Sequence, residues 1–338
     1  MRFSIVIPSY NHLEDCLKPC IDSIIKNTEN LIEGEIIVVL NGSIDGSKEY
    51  LQSINHPIKI LENKHPMGYT RATNWGIRES KGDHIILLNN DCIILWKDNW
   101  IEKLIKDCHG TTAVTGISRI VDPASQWDFI IFYCACLRKD LIHKYGTLDE
   151  QFNPGGGEDI EYCIRMRHYG YGIKAIECHA LWQYSTEFPI YHAGEQTVHN
   201  LKDWDQIWKN HQNILQTYKK PIHTSIFLDG HNIQDLNNCI NSIWCNTCIS
   251  GLEFYTSSQE LYNQYKNNNG IIFKLQEKIQ WYDYVTHSDK IGICLDSKLT
   301  ITPSVENNWL IDLDRGVGLL YDECIGNGWH IFKRPGTQ

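Results

Sequence analysis

The sequence predicts an α/β protein built on a largely parallel, twisted sheet with helices on both faces, followed by a second, smaller α/β domain. Short β-rich apolar runs alternate with segments whose apolar residues recur at helical spacing. Three of those runs stop abruptly at polar, small-residue turns. The run Ile85 to Leu88 is apolar at every position, as a strand covered on both faces requires.

Arg2 to Ile7 is the first strand, turned by Pro8-Ser9-Tyr10-Asn11. Leu13 to Asn27 places Leu17, Cys20, Ile21, Ile24 and Ile25 on one helical face. Glu35 to Leu40 is the second strand and ends in Asn41-Gly42-Ser43-Ile44-Asp45-Gly46. Ser47 to Ile54 reads as a short helix and Ile58 to Leu61 as a third strand. Thr70 to Ser80 reads as a helix entered at Gly68. Ile85 to Leu88 follows and runs into Asn89-Asn90-Asp91. The carboxyl ends of parallel strands share one sheet edge, so the turns at 8–11, 41–46 and 89–91 are expected around one crevice, where ligands of open α/β sheets bind. Asn89-Asn90-Asp91 is equally compatible with a plain turn and with a carboxylate aimed at a metal ion. Neither GxGxxG nor GxxxxGK[ST] follows the first strand, so the dinucleotide fingerprint and the P-loop are both absent.

The 338 residues suffice for two domains at the usual ~100–200 residues each. A hydrophobic fraction of 42% suits packed cores, and the net charge of -10 argues against a nucleic-acid partner. The N-terminal apolar run ends at Pro8, too short for a signal-peptide core, and no stretch approaches the ~20 apolar residues of a membrane span. A soluble, cytoplasmic protein is the expectation. The 13 cysteines then read as reduced and mostly buried. Cys245 and Cys248 form a lone CxxC without a second pair, which argues against zinc.

Taken in order, several pieces resemble a family 2 glycosyltransferase with the GT-A fold. They are Ile5 to Asn11; Val38 to Ser47; Asn63, Gly68 and Asn74; Leu87 to Asp91, where that family has its DxD-type motif; Tyr145 to Phe152; Gly157-Glu158-Asp159-Ile160-Glu161 with Arg165; and Tyr191-His192-Ala193-Gly194. The resemblance covers about the first ~200 residues, a normal size for one α/β domain. It implies an inverting, metal-dependent transferase that moves a hexose or N-acetylhexosamine from a UDP-sugar to a hydroxyl of a glycan or other acceptor. It also implies Mn2+ (or Mg2+) as cofactor. Asp91 and His192 are the implied metal residues, Asp159 the general base and Glu158 the acceptor-positioning acid. Pro8, Tyr10, Asn11, Asn41, Asp45, Gly68, Arg71, Asn74, Asn89 and Asn90 are expected around the nucleotide-sugar. Trp127 and Trp182, with Tyr133, fall where the acceptor is expected.

Each of these residues also has a plainer reading. Acids in a helix's first turn are ordinary dipole partners, buried aromatics are ordinary core, His192 is one of 15 histidines, and Arg71 is a solvated helix charge. Two positions depart from the family pattern. Asn89 lacks the first charge of the DxD-type motif, and Leu40 stands where many relatives have an Asp that reads the uracil. These departures motivate an alternative, a catalytically inactive scaffold that binds nucleotide or glycan. A sugar-nucleotide pyrophosphorylase would need a Gly-rich basic loop after the first strand, and Pro8 to Asn11 is not one.

After Pro221 the opening pattern returns. His223 to Asn232 echoes Phe3 to Asn11, Cys239 to Thr247 echoes Cys20 to Thr28, Asp289 to Asp296 echoes the strand before Asn89, and Asn307 to Leu310 echoes Asp98 to Ile101. The expectation is a GT-A domain over 1–220 and a degenerate, truncated, non-catalytic copy over 221–338, open to packing against the first domain, to a homodimer contact or to acceptor binding.

Overall fold

The protein is described from a computed structural model covering residues 2–122, 125, 127–177, 188–194 and 204–218, and, further on, 224–229, 252–256, 258–266, 272–275, 291–296 and 329–332. Eight strands form the main sheet: β1 (Phe3–Ser9), β2 (Gly34–Asn41), β3 (Ile58–Asn63), β4 (His84–Leu88), β6 (Thr112–Val121), β7 (Asp128–Ile130), β8 (Cys134–Arg138) and β9 (Gly172–Glu177). Their order is β3-β2-β1-β4-β8-β6-β7, with β9 also paired to β6. β1 to β4 are parallel, β8 runs against β4 and β6, and β9 is parallel to β6. The sheet is therefore mostly parallel, as expected.

Residues along β4 alternate between two cores. Ile86 and Leu88 pack with Leu17, Ile21, Trp100 and Leu104 on one face, which α1 (Lys18–Asn27) and α4 (Trp100–Asp107) cover. Ile85 and Leu87 pack with Leu137, Ile160 and Tyr162 on the other, beneath α5 (Lys139–Tyr145) and α6 (Glu158–His168). These four apolar residues of β4 are at most 1% exposed. Each such side chain contributes roughly 1.5–3 kcal/mol of burial, which fixes the strand and hence the place where it ends. The short α2 (Ser47–Ser53) lies between β2 and β3, and α3 (Tyr69–Glu79) follows β3.

The structure moves several boundaries. β1 continues through Pro8, which keeps its Cα register with Val39 of β2. Pairing with β4 stops at Val6, so the missing N–H costs no ladder bond on that side. The first helical segment opens with a π-helical turn, Leu13–Leu17, in which the Leu17 amide donates to the His12 carbonyl at 3.0 Å. Pro19 has no N–H to continue a regular ladder back into that turn.

A two-stranded ribbon lies apart from the main sheet. β5 (Cys92–Ile94) pairs antiparallel with β10 (Ile190–His192), placing His192 opposite Cys92. One buried ionic group had no sequence signal. The Asp128 carboxylate of β7 takes Arg119 of β6 and also Arg167 of α6, the latter at 2.8 Å. It ties the end of α6 to the sheet. Arg165 has a structural role, donating to Glu161 and to the Tyr145 and Thr147 carbonyls.

Farther along, β11 (Thr224–Asp229), β12 (Leu252–Thr256), β13 (Ile272–Leu275), β14 (Ile291–Asp296) and β15 (Trp329–Phe332) form a sheet of order β13-β12-β11-β14-β15. The first four are parallel and β15 is antiparallel to β14. This is the order and sense of β3-β2-β1-β4-β8. The echoes at Cys239 to Thr247 and Asn307 to Leu310 lie outside the described residues. Among the described residues, no helix is long and apolar enough to cross a membrane.

Candidate active site

β4 ends in Asn89, Asn90 and Asp91. The Asn89 amide donates to the Tyr133 carbonyl at 2.8 Å and the Asn90 side chain donates to Ser9 Oγ at 3.1 Å, so this turn is joined to β1 and to the entry of β8. The β5–β10 ribbon returns His192 to the same spot, and the Ala193 amide donates to the Asp91 carbonyl at 3.1 Å. The His192 ring stacks on Tyr133, centroid to centroid 4.3 Å and 7° from parallel.

Asp91 and His192 are 7% and 6% exposed. Asp91 Oδ1 and His192 Nε2 lie 3.2 Å apart without the alignment of a hydrogen bond. Neither atom has a hydrogen-bond partner, and His192 Nδ1 has none either. An orphaned buried polar atom costs about 1–3 kcal/mol, so three in one place need a reason. A cation supplies one: ligand atoms of Asp91, Cys92 and His192 lie within 4.8 Å of one another. Burial keeps the Cys92 thiol protonated, and it donates to the Tyr133 carbonyl at 3.4 Å. The usable donors are thus a carboxylate and an imidazole, a set that suits Mn2+.

The second cluster stands at the start of α6. Gly156 and Gly157 have φ of 87° and 96°, and a Cβ on Gly156 would meet Ile207 Cγ2 at 2.5 Å. These glycines serve a left-handed turn and a close helix contact. Glu158 is 6% exposed and its Oε2 has no hydrogen-bond partner. Asp159 is more open, and the Ile160 amide donates to it at 2.8 Å. Burial pushes the Asp159 carboxyl up to about 6. Burial and the neighbouring Asp159 charge push Glu158 up to about 8. Two carboxyls held apart in this way can serve as an acid and a base, with Asp159 ionised first.

Tyr69 at the start of α3 links the two clusters. Its hydroxyl donates to Asn89 Oδ1 at 3.2 Å, and its amide donates to the Pro154 carbonyl at 2.6 Å. Burial and the charges of Glu158 and Asp159 keep its phenol protonated. Tyr69 was not expected here, and Tyr133, expected near the acceptor, instead stacks on His192; both contacts are remote in sequence.

The residues expected at the nucleotide divide into two groups. Tyr10 is partly exposed beside the strand ends, and Pro8 lies in β1. Asn11 and Asp45 knit two turns together, as Asn11 accepts from the Ile44 amide at 3.0 Å and Asp45 from the Leu13 amide at 2.8 Å. The Asn41 amide group is occupied, accepting from the Met67 amide at 2.7 Å and donating to the Gly68 carbonyl at 3.3 Å. Both of its polar atoms thus already have a partner within the chain. Gly68 has φ of 90°, and a Cβ there would meet the Asn153 side chain at 2.1 Å, so its smallness serves the packing of α3 on the 153–157 loop. Arg71 pairs with Glu150 at 3.4 Å along a groove of about 350 Å³ that Trp75 and Arg78 also line.

Asn74 is fully buried and holds Leu148 by both backbone groups, at 2.8 and 3.0 Å. That is a scaffold role, not a nucleotide contact. Asn74→Ala should lower unfolding stability by about 2–4 kcal/mol, from two orphaned backbone groups, and leave the UDP dissociation constant unchanged; chemical denaturation and calorimetry check the two halves. Trp127 is 5% exposed and packs edge-on to His168 at 6.2 Å, which makes it core. Trp182 lies outside the described residues.

Residues 4–152 match the sequence model of the family described as Glycosyl transferase family 2. The glycosyltransferase AglE of Haloferax volcanii is 32% identical over 111 residues, which are 32% of this chain and 36% of that protein. The glycosyltransferase GlyG of Streptococcus pneumoniae is 35% identical over 104 residues, 30% of this chain and 33% of that protein. The matched stretch thus spans about a third of either relative. Among solved structures, a mannosyltransferase from Pyrobaculum calidifontis in complex with GDP-Man and Mn2+ is similar, with a TM-score of 0.44 and 17% identity over 52% of this chain and 54% of that one.

Proposed function

We propose that residues 1–220 are a GT-A glycosyltransferase domain of family 2 that moves a hexose or N-acetylhexosamine from a UDP-sugar to an acceptor hydroxyl with inversion. The observation that carries this reading is the buried, unpartnered pair of Asp91 Oδ1 and His192 Nε2 at the carboxyl end of β4. The acid/base pair on α6 and the family match over residues 4–152 support it.

In this reading Asp159 takes the proton of the acceptor hydroxyl as that oxygen attacks the anomeric carbon. The bond from that carbon to the diphosphate oxygen breaks, and its electron pair leaves with UDP. Glu158, still protonated when Asp159 is ionised, donates a hydrogen bond that orients the acceptor. Tyr69 keeps Asn89 turned and fixes the distance between the strand end and the acids. A divalent cation held by Asp91 and His192 would neutralise charge on the diphosphate. Only one formal negative charge stands at that pair, so the nucleotide's own oxygens are needed to complete the set. Asp229 of β11 and Asp296 of β14 are Cα partners in the C-terminal sheet, which we read as a degenerate copy of the first nucleotide-binding half.

The test is a panel of nucleotide-sugars, read by release of UDP with Mn2+ and with chelator. Release from a UDP-sugar that chelator suppresses is the expected result. Silence with every donor would favour the inactive-scaffold alternative.

A further inference from the structure

α7 (Trp204–Thr217) is bolted to the loop that carries the two acids. Asn210, fully buried, donates to the Phe152 and Gly155 carbonyls at 2.9 and 3.1 Å. Ile207 fills the space over Gly156, and the Asn210 carbonyl lies 3.5 Å from where a Cβ on Gly157 would stand. The next residue, His211, thus stands on a helix held against the loop that leads into α6. Its Nδ1 lies 3.1 Å from Oδ1 of Asp122, a side chain 1% exposed just past β6. The Ser125 amide holds the other Asp122 oxygen at 2.7 Å, so the carboxylate has a fixed direction and the ring has little freedom. Trp208, one turn back, lies 6.1 Å from the imidazole.

We propose that His211, which Asp122 tethers and which stands on the helix packed against the loop into α6, is a positioning residue whose positive charge favours the carboxylate form of Asp159. This rests on the reading of Asp159 as the base. The ionisable groups around the imidazole are Asp122 beyond β6, and Glu158 and Asp159 on α6; Tyr69 of α3 faces the same two acids. Burial disfavours charge on His211, yet Asp122, Asp159 and Glu158 together hold its proton more tightly than in an ordinary histidine. In return, His211 offsets part of the upward push that burial exerts on both acids. Three carboxyls and one imidazole leave the cluster anionic, so loss of the one cation falls on the acid that ionises first, Asp159. Nothing in the sequence around His211 marks it, because the partner lies 89 residues away.

The test uses the full chain and two readouts. In the pH dependence of kcat/KM, His211→Gln should move the acid limb upward by about one pH unit, as loss of a neighbouring opposite charge does. Activity should fall roughly tenfold on that limb and approach wild type above it. His211→Lys, which restores a cation, should bring the limb back. A loss equal at all pH values, or an unmoved limb, would overturn the proposal. The second readout needs no turnover. The His211 ring titration followed by NMR should drop in midpoint in Asp122→Asn and, by a smaller step, in Asp159→Asn. An unmoved midpoint in Asp159→Asn overturns the coupling. A coupled midpoint in a protein that uses no donor would instead count against glycosyl transfer and leave the coupling standing.

Discussion

Asp159→Asn is expected to leave UDP binding intact and to lower transfer by about 10²–10⁴-fold, the usual contribution of a positioned base. The substitution keeps shape and removes only the capacity to take a proton. Asn can still accept the Ile160 amide that now donates to Asp159 at 2.8 Å. The start of α6 should therefore keep its conformation, and calorimetry should give a UDP dissociation constant like that of wild type. The wild-type pH profile carries a linked expectation. Asp159 is raised to about 6 and Glu158 to about 8. Transfer requires the first group ionised, so kcat/KM rises with pH through about 6. Losing the second proton puts another negative charge in a buried site and removes the donor that orients the acceptor, so activity falls through about 8. These two steps belong to the pair as a unit. Full activity in Asp159→Asn would remove the base from the mechanism.

Asp91→Ala is expected to separate catalysis from stability. The cation's contribution to a leaving diphosphate is several kcal/mol, so turnover should fall about a thousandfold. The metal-free protein should be no less stable than wild type. Asp91 Oδ1 has no hydrogen-bond partner, and removing an orphaned buried acceptor relieves a cost of about 1–3 kcal/mol. A thermal melt in chelator checks this half and a turnover assay the other. If Asp91 served only as a turn residue, the order would reverse: stability would drop and turnover would follow only to that extent.

Much of this architecture was legible because its signals are local. Ile85 to Leu88 announces a doubly covered strand by having no polar face, and Asn89-Asn90-Asp91 announces its end. The same holds for Glu35 to Leu40, which the structure extends to Gly34–Asn41. The places of the candidate residues were legible where a strand end or a helix start fixes them, as at Asp91 after β4 and at Glu158-Asp159 on α6. It was not legible where an amide could serve either a ligand or the chain. Asn41 and Asn74 are used by the chain, on Met67, Gly68 and Leu148, and no local pattern announces such a partner. Tyr69 and His211 were missed, and Tyr133 was expected at the acceptor rather than stacked on His192, for the same reason, since each meets a group brought to it by a different part of the fold. His192 shows the intermediate case, because only the pairing of β10 with β5 puts it opposite Cys92 and beside Asp91.

The central claim is that Asp91 and His192 form a cation site that a nucleoside diphosphate completes. Calorimetric titration of Mn2+ into the UDP-saturated protein tests it most directly, with wild type, Asp91→Ala and His192→Ala side by side. The account predicts one saturable site in wild type, stronger with UDP than without it, and loss of that site in both variants. Equal Mn2+ binding in all three proteins, or none in wild type with UDP bound, would contradict it.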